Sequence, residues 1–506
     1  MNDDQITKNE SPKFATQKAL ETFLKNEKNP QLVRERNQMK SLVLNGEHFT
    51  ALPPEITKLT NLELLSIRKS KIEELPAEIG QLVSLKTLDM GYTCVRELPI
   101  ELGQLTQLEV LDLQNSCISE LPTVIGQLTN LRTLAMGNGY IEQIPVEMTQ
   151  LTNLTTLDLS YSDALPQGIE YITQIETLIL LGTDFNEFPI EVTRLKNLKH
   201  LNLRRSTVSV IPSELGNLTH LQSLNLSRTL FATLPATIGQ LIHLETLDLS
   251  RSKIKTLPPE IGKLKKLEVL VLKESDFEIL PPEIGQLSHL EQLYLSHTPL
   301  KLLPPEIGML DRLQVLDLNS AHVQDFPPEM GQLQSLEILK CDYLAFDKVP
   351  KEIQQLKNLQ YIVLSNTNLD TFPAELLELP NLTAMSFKGT ELKALPKELT
   401  NLKKLRELNI EKTTIGEIPP EVEAMPGLKI LKTSKAVPVR AQYARNNSLL
   451  AGNALANQGV ELEMTGYFDA STTTQEDEKQ IKQTLTLFFD QLGFTIKPNP
   501  NSNPQL

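Results

Sequence analysis

Four arginines have the residue type and the spacing that best suit binding chemistry in this chain. Arg205, Arg228 and Arg251 recur at intervals of 23 residues, and Arg204 precedes the first of them. A guanidinium group is planar and stays charged at neutral pH, and its fork of donors fits carboxylate and phosphate groups. The whole chain carries 49 Lys and Arg against 63 Asp and Glu, a formal net charge of −14. The sequence therefore predicts a local cationic contact for an acidic partner.

Motifs for catalysis and cofactor binding are absent from the sequence. It contains no GxxxxGK[ST] phosphate-binding loop, no HExxH metal motif and no GxSxG nucleophile motif. His220, His243 and His289 share one position of a repeat, which favours variation at a permissive surface site over metal binding. We therefore predict that the chain is not an enzyme and uses no cofactor or metal.

The three cysteines and the N-terminal residues indicate the compartment. Cys94 and Cys117 lie 23 residues apart, so a disulfide between adjacent turns is conceivable, but parallel side chains favour free thiols. Cys341 falls on a buried strand position. The first residues, MNDDQITKNESPKF, are polar and lack an apolar signal segment. These features predict a reducing, cytoplasmic location without membrane insertion.

The 23-residue interval extends through most of the chain. A Pro that follows a large apolar residue occurs 17 times between Pro53 and Pro419, and fifteen of the sixteen intervals are 23 residues long. The interval from Pro145 to Pro166 is 21 residues, so we expect a local distortion at residues 163–165. The repeated unit is LxxLxxLDLSxSxIxxLPxEIGQ.

Each unit contains one predicted strand and one predicted helical turn. The alternation of apolar and polar residues around LDL is typical of a short strand with one buried face. The Pro, with Glu two residues later in 14 of 17 units, is typical of the first turn of a helix. Because each unit exposes an apolar edge that only the next unit covers, the units are expected to stack into one parallel sheet. The bulkier helical side makes this α/β solenoid bend, so the strands lie on its concave face.

The LPxEIGxL segment resembles that of cytosolic leucine-rich-repeat proteins, a subclass that includes Ras-pathway scaffolds, plant intracellular Ras-group proteins and bacterial relatives. The resemblance covers residues 39–435 in 17 units and implies a leucine-rich-repeat horseshoe that binds partners rather than catalysing a reaction. This chain departs from the family where a buried Asn usually follows the strand, because 13 of 18 positions hold Ser or Thr. We expect these hydroxyls to bridge adjacent turns.

The ends of the chain are predicted to cover the open edges of the stack. Residues 1–38 are interpreted as an N-terminal tail and helical cap, with Ser11 as N-cap and Pro12 as first helical residue. Residues 39–435 form the solenoid, and residues 436–493 form a C-terminal cap whose helix either seals the edge or binds a partner. Residues 494–506 are predicted to be a disordered tail.

The predicted partner-binding surface is the concave face, where large amphipathic side chains are the usual anchors. The predicted contact residues are Arg204, Arg205, Arg228, Arg251, Tyr92, Tyr161, Tyr294, Tyr343 and Tyr361. The predicted function is a non-enzymatic scaffold or recognition module for another protein with an acidic surface. The acidic chain disfavours nucleic acid as a partner, and a monomer is expected.

Two alternatives to this interpretation stay open from the sequence alone. The first is an anion or acidic-ligand sensor that uses the row formed by Arg205, Arg228 and Arg251. The second is structural: Asp248 and Glu274 lie close to the row in the repeat, so part of its charge is neutralised internally.

Overall fold

The computed structural model describes residues 14, 16–46, 48–139, 141–185 and 187–431. Within these ranges, eighteen parallel strands of three residues form one sheet, and each strand pairs with the next along the chain. The usual register is 23 residues, as in the pairing of Leu247 with Leu270. The strands are β1 Ser41–Val43, β2 Leu64–Ser66, β3 Thr87–Asp89, β4 Val110–Asp112, β5 Thr133–Ala135, β6 Thr156–Asp158, β7 Thr177–Ile179, β8 His200–Asn202, β9 Ser223–Asn225, β10 Thr246–Asp248, β11 Val269–Val271, β12 Gln292–Tyr294, β13 Val315–Asp317, β14 Ile338–Lys340, β15 Tyr361–Val363, β16 Ala384–Ser386, β17 Glu407–Asn409 and β18 Lys429–Leu431.

Short helices alternate with the strands and form the opposite, convex side. All but the last are 3-10 helices, and apart from Ile169–Tyr171 they begin directly after the repeated Pro, as Pro258 precedes Pro259–Lys263. The 3-10 helices are Pro54–Lys58, Ala77–Gln81, Ile100–Gln104, Thr123–Gln127, Val146–Gln150, Ile169–Tyr171, Ile190–Arg194, Ser213–Asn217, Ala236–Gln240, Pro259–Lys263, Pro282–Gln286, Pro305–Met309, Pro328–Gln332, Lys351–Gln355, Ala374–Glu378 and Lys397–Asn401. A short α-helix, Pro420–Glu423, precedes β18. The predicted α/β solenoid with a parallel concave sheet and convex helical turns is confirmed.

One continuous apolar core lies between the sheet and the helices. The central residue of each strand from β1 to β17 is buried, and Leu247 and Leu249 of one turn have 0% exposure. On the convex side the glycine of LPxEIG lets adjacent turns approach closely. A Cβ at Gly80 would lie 2.5 Å from the carbonyl oxygen of Glu101 in the next turn. The glycine is therefore required by packing between turns rather than by its backbone dihedrals.

A tight turn follows each regular strand and sets the geometry of the concave rim. In the turn after β10, the Asp248 Oδ1 accepts a hydrogen bond of 2.9 Å from the backbone N–H of Ser250. The next residue, Arg251, has a positive φ of 56°. A positive φ at the third residue of a four-residue turn normally selects Gly or Asn. The last residue of the strand, Asp248, thus stabilises the turn, and the residue after Ser250 has a backbone conformation that disfavours most side chains.

The hydroxyls that replace the family's Asn do not bridge adjacent turns, so that prediction was wrong. The Ser252 hydroxyl donates to the Leu249 carbonyl at 2.7 Å, and the Thr298 hydroxyl donates to the Leu295 carbonyl at 2.7 Å. Both acceptors lie three residues earlier in the same turn. A hydroxyl one bond from Cβ reaches this carbonyl, whereas the adjacent strand is about 4.8 Å away.

Adjacent turns are instead bridged on the outer side, by the Asn of the LTNL segment. The Asn130 side-chain amide donates to the Thr106 carbonyl at 2.8 Å, and Asn153 repeats the contact with Thr129 at 2.8 Å. His220 occupies the same position, and its Nδ1 lies 3.1 Å from the Lys196 carbonyl. This histidine therefore replaces Asn in a cross-turn hydrogen bond, which explains its place in the repeat.

Two helices cover the N-terminal edge of the sheet, α1 Gln17–Lys25 and α2 Pro30–Gln38. The N-cap of α1 is Thr16; the predicted cap at Ser11 and Pro12 lies outside the described residues. Leu20 and Leu24 of α1 are fully buried in the core. The buried Arg36 of α2 donates to the last carbonyls of α1, at 3.0 Å to Asn26 and also to Phe23 and Leu24. The predicted C-terminal regions, 436–493 and 494–506, also lie outside the described residues.

Candidate partner-binding surface

The sheet brings the four predicted arginines to one edge of the concave face. Arg204 and Arg205 follow β8, Arg228 follows β9 and Arg251 follows β10, and these three strands are hydrogen-bonded neighbours. Strand neighbours are about 4.8 Å apart. Arg205, Arg228 and Arg251 occupy equivalent positions with φ values of 59°, 58° and 56°. Three guanidinium groups therefore project from consecutive turns in one row.

Each arginine of the row occupies a backbone position that favours glycine. Equivalent turns hold Gly182 or Gly389, and elsewhere Asn115 or Asn138, at the same position. For a residue with a Cβ, this left-handed conformation costs about 1 kcal/mol. An arginine therefore occupies a position at which Gly or Asn would have less backbone strain.

Arg251 is neutralised by a partner in the next turn. Its Nη2 lies 2.8 Å from both carboxylate oxygens of Glu274. The two side chains are 30% and 38% exposed, so solvent screening limits the stability gained to about 0–1 kcal/mol. The alternative that part of the row is neutralised internally is confirmed for Arg251.

Arg205 and Arg228 form no ion pair with any residue in the described part of the chain. Burial lowers the pKa of Arg228 to about 10, with further lowering by the nearby charges of Arg251, Arg205 and Arg204. Burial and the charge of Arg205 also lower the pKa of Arg204, against a smaller opposing effect of Asp248. Because arginine side chains are charged at neutral pH, the neighbouring guanidinium groups repel one another.

Tyr161 extends this surface by two turns toward the N-terminus. The residue follows β6, has a φ of 60° and is 48% exposed. Its ring lies against Gly182, where a Cβ would come within 2.6 Å of the Tyr161 Cε1. The phenol also lies close enough to Arg204 to influence its pKa. We call Tyr161, Arg204, Arg205 and Arg228 the central arginine patch.

Tyr92 belongs to a separate cluster that the sequence reasoning missed. The Arg68 guanidinium carbon lies 4.8 Å from the centroid of the Tyr92 ring. Arg68 Nη1 also lies 3.4 Å from Asp89 Oδ1 and 3.0 Å from Asp112 Oδ2. Arg68, Asp89, Tyr92 and Asp112 form the N-terminal arginine cluster. Its sequence signal is an Arg just after one strand with Asp as the last residue of each of the next two strands.

The three remaining tyrosines lie on later strands, away from the central arginine patch. Tyr343 follows β14 and is 51% exposed, and Tyr361 in β15 is 36% exposed. Tyr294 in β12 is half-buried, and its hydroxyl donates to Gln292 Oε1 at 2.9 Å. Burial and the charge of Asp317 raise the pKa of Tyr294 to about 12. The predicted contact residues thus form several groups rather than one surface.

The opposite edge of the sheet is acidic before β10, β11 and β12, whereas Lys199 and Gln222 precede β8 and β9. Glu245, Glu268 and Glu291 immediately precede β10, β11 and β12. Burial raises the pKa of Glu268, and the neighbouring carboxylates of Glu291 and Glu245 raise it further. The concave face therefore has a cationic edge after β8 to β10 and an anionic edge before β10 to β12.

The described residues include no group of three or more His, Cys, Asp or Glu side chains placed to hold a metal ion. Cys94 and Cys117 are exposed free thiols, and Cys341 is a fully buried one, as predicted. Burial raises the pKa of the Cys341 thiol. In the same part of the chain, every helix is too short or too polar to cross a bilayer.

A protein-family model described as a leucine-rich repeat region matches residues 19–115, 101–210, 209–295 and 281–389. A comparison with curated protein sequences gave no match.

Solved structures share the architecture. A leucine-rich-repeat protein of Leptospira interrogans is 32% identical over 79% of this chain and 97% of that protein, with a TM-score of 0.64. The ectodomain of the Arabidopsis thaliana receptor kinase GASSHO1/SCHENGEN3, in complex with Casparian strip integrity factor 2, is 26% identical with a TM-score of 0.52. The match covers 79% of this chain and 53% of that ectodomain. The Drosophila Toll–Spatzle complex, at 20% identity and a TM-score of 0.61 over 74% of this chain and 53% of that one, shares the fold.

Proposed function

The chain belongs to the leucine-rich-repeat family, and we propose that it is a non-enzymatic recognition module that binds another protein on its concave face. The primary contact is the central arginine patch, and the partner presents an acidic surface there. The module acts as a monomer in the cytoplasm, in the manner of the LPxEIGxL subclass, without nucleic acid, cofactor or membrane insertion.

The observation behind this proposal is that Arg205 and Arg228 repel each other. Neither residue forms an ion pair among the described residues. The chain as a whole has a net charge of −14, so such a patch has a local potential opposite to that of its surroundings. An acidic partner relieves the repulsion and forms bidentate contacts. Arg and Tyr are also the residue types most enriched among interface anchors.

The comparisons support a protein or peptide as the class of partner. The Arabidopsis ectodomain was solved with Casparian strip integrity factor 2 bound, and it shares 26% identity with this chain. That complex belongs to the plant receptor. For this chain it supports the proposal that the leucine-rich-repeat solenoid recognises a polypeptide.

The test compares proteins captured by the immobilised full chain and by two charge-matched variants. The first variant changes Arg204, Arg205 and Arg228 to Ser. The control changes Lys301, Lys348 and Lys351 to Ser, because these exposed lysines lie outside the strands. We expect the control to retain the partners of the wild type and the arginine variant to lose them, with unchanged melting temperatures. Identical capture by all three proteins would refute the proposed contact.

The anion-sensor alternative is favoured only by the grouping of guanidinium groups. The ion pair between Arg251 and Glu274 removes one of the three members of the row that this alternative needs. Titration with inorganic phosphate distinguishes the two functions. A sensor saturates with phosphate alone, and its affinity falls steeply with salt, whereas a protein-binding patch shows no saturable phosphate binding.

A further inference from the structure

The turn that is two residues short opens a cleft on the side of the solenoid. In regular turns the second residue after the Ser/Thr position is apolar and fully buried, as Ile254 and Phe277 are. In the short turn, Ser162 is followed by Asp163 and Ala164, which are both exposed. No side chain of this turn therefore fills the usual core position. The helix that follows is also shortened, to Ile169–Tyr171, and begins after Gly168 with a φ of 88°.

The resulting cleft has a volume of about 830 Å3 and an apolar floor. Ile144, Pro166, Ile172 and Phe185 line it, and all four are buried. The exposed ring of Tyr171 stands at its rim. The floor is formed by the short turn and by the turns on both sides of it.

The rim of the cleft is strongly acidic. Its carboxylates are those of Asp163, Glu170, Asp184, Glu187 and Glu191. The described lining residues include no Lys, Arg or His. Only Glu170 has an ion-pair partner among the described residues, and that partner, Arg194, lies 3.6 Å away and outside the lining. The cleft thus joins an apolar floor to a rim with an excess of negative charge.

We propose that this cleft binds an organic cation with an apolar stem, an alkylammonium or alkylguanidinium group. The methylene stem packs on Ile144, Ile172 and Phe185, while the charged head contacts the rim carboxylates. The face of Tyr171 adds a cation–π contact. The source of the group is a Lys or Arg side chain of a basic peptide, or a free polyamine. The charge of this site is opposite to that of the central arginine patch, and binding in the cleft does not require the patch.

Isothermal titration of the full chain with two probes tests the site and its source. Spermidine represents the free polyamine, and a hexapeptide of alternating Lys and Arg represents the basic polypeptide. Saturable binding of either probe supports the site, and the probe that binds at least 10-fold more tightly identifies the source. Failure of both probes to bind would overturn the proposal.

Two variants localise the binding. Changing Asp163 to Asn, Asp184 to Asn and Glu187 to Gln together is expected to weaken it at least 10-fold. The matched control changes Glu74, Glu97 and Glu120 to Gln, three exposed acids that occupy the equivalent position of Glu187 in regular turns. Equal weakening by both sets would show general attraction to an acidic protein and would refute the site.

The last variant separates the cleft from its charges. Insertion of Ile-Thr between Asp163 and Ala164 restores a 23-residue interval and supplies the missing core side chain, while all five carboxylates remain. Binding is expected to fall at least 10-fold. Unchanged binding by a folded insertion variant would contradict the proposal, and if this variant does not fold, the charge-neutralised set and its control decide the question.

Discussion

Two arginine sites on the same concave face differ in how their charge is balanced. In the N-terminal arginine cluster, Arg68 meets a carboxylate on each of the next two strands, Asp89 and Asp112. In the central arginine patch, Arg204 occupies the equivalent position, but the next two strands place Asn225 and then Asp248 there. The amide of Asn225 replaces the carboxylate that Asp89 supplies in the other cluster, and Arg205 and Arg228 add two positive charges. The N-terminal arginine cluster is therefore balanced in charge, whereas the central arginine patch has an excess of positive charge.

The comparison shows that residue type does not decide the role of an arginine in this solenoid. We propose that the last residue of the strand, one and two turns later, decides the charge balance of each arginine. Arg68 is three-quarters buried beside two carboxylates, whereas burial and the charges of neighbouring arginines lower the pKa of Arg228.

Substitution of Arg68 by Ala should produce the largest effect. It leaves Asp89 and Asp112 without their cation, and burial already raises the pKa of Asp112. We expect the free energy of unfolding in urea to fall by about 2–3 kcal/mol. Substitution of Arg228 by Ala, in contrast, should change it by less than about 0.5 kcal/mol. Equal losses in the two variants would contradict the assigned roles.

Substitution of Asn225 by Asp should convert the central arginine patch toward the balanced type. The new carboxylate faces Arg204 and still accepts the hydrogen bond that Asn225 Oδ1 receives from the Ser227 N–H. The affinity for a fluorescein-labelled hexaglutamate peptide at low salt should fall about 10-fold, equivalent to about 1.4 kcal/mol. Asp89 to Asn is the reverse change, and it should raise affinity for the same peptide. If the affinity for the peptide changed in the same direction in both variants, residues 225 and 89 would not control the charge balance of the neighbouring arginines.

Asp317 is the last residue of β13 and forms no ion pair with an arginine among the described residues. The effect of this carboxylate on stability should therefore depend on pH. Burial raises the pKa of Asp317, so its ionised form disfavours folding at neutral pH. We expect Asp317 to Asn to stabilise the protein at pH 7 by up to about 1 kcal/mol. The advantage should shrink as the pH falls through the raised pKa toward the ordinary value of 3.8. Melting temperatures between pH 4 and 7 measure it, and an advantage that grows on acidification would have the wrong sign.

Substitution of Glu274 by Gln should give the smallest effect. It releases Arg251 and extends the central arginine patch by one guanidinium group. The hexaglutamate affinity should rise about threefold, while the free energy of unfolding changes by less than about 1 kcal/mol because the pair is partly exposed. Glu278 to Gln is the control, since its pair with Lys255 is exposed and lies outside the strands. An equal rise in both variants would show a general effect of net charge.

The repeat predicted the fold because its length equals the residue offset between paired strands of neighbouring turns. The 23-residue interval became the strand register, and the two-residue deficit became the irregular turn before Ile169. The direction of the Ser and Thr hydrogen bonds was not predictable in the same way. It depends on the tight turn, which places a carbonyl three residues back within reach of the Thr298 hydroxyl.

The candidate site was predictable in its residues but not in its charge balance. The positions of Arg205 and Arg228 followed from the repeat. The pairing of Arg251 with Glu274 and of Arg68 with two aspartates depends on side-chain reach across neighbouring turns, which a linear pattern does not contain. The acidic cleft forms because the short turn lacks a core side chain. A repeat that is two residues short predicts a distortion, but it does not predict the volume or the lining residues of the cleft.

The local electrostatic potential at the two arginine sites tests the central claim most directly. Nuclear magnetic resonance relaxation by anionic and cationic nitroxide cosolutes reports this potential at individual amide groups. At the amides of Arg205 and Arg228, we predict stronger relaxation by the anionic than by the cationic probe. At the amides of Lys69 and Tyr92, beside the balanced Arg68, the ratio should be close to one or reversed. Equal ratios at both sites would contradict the account.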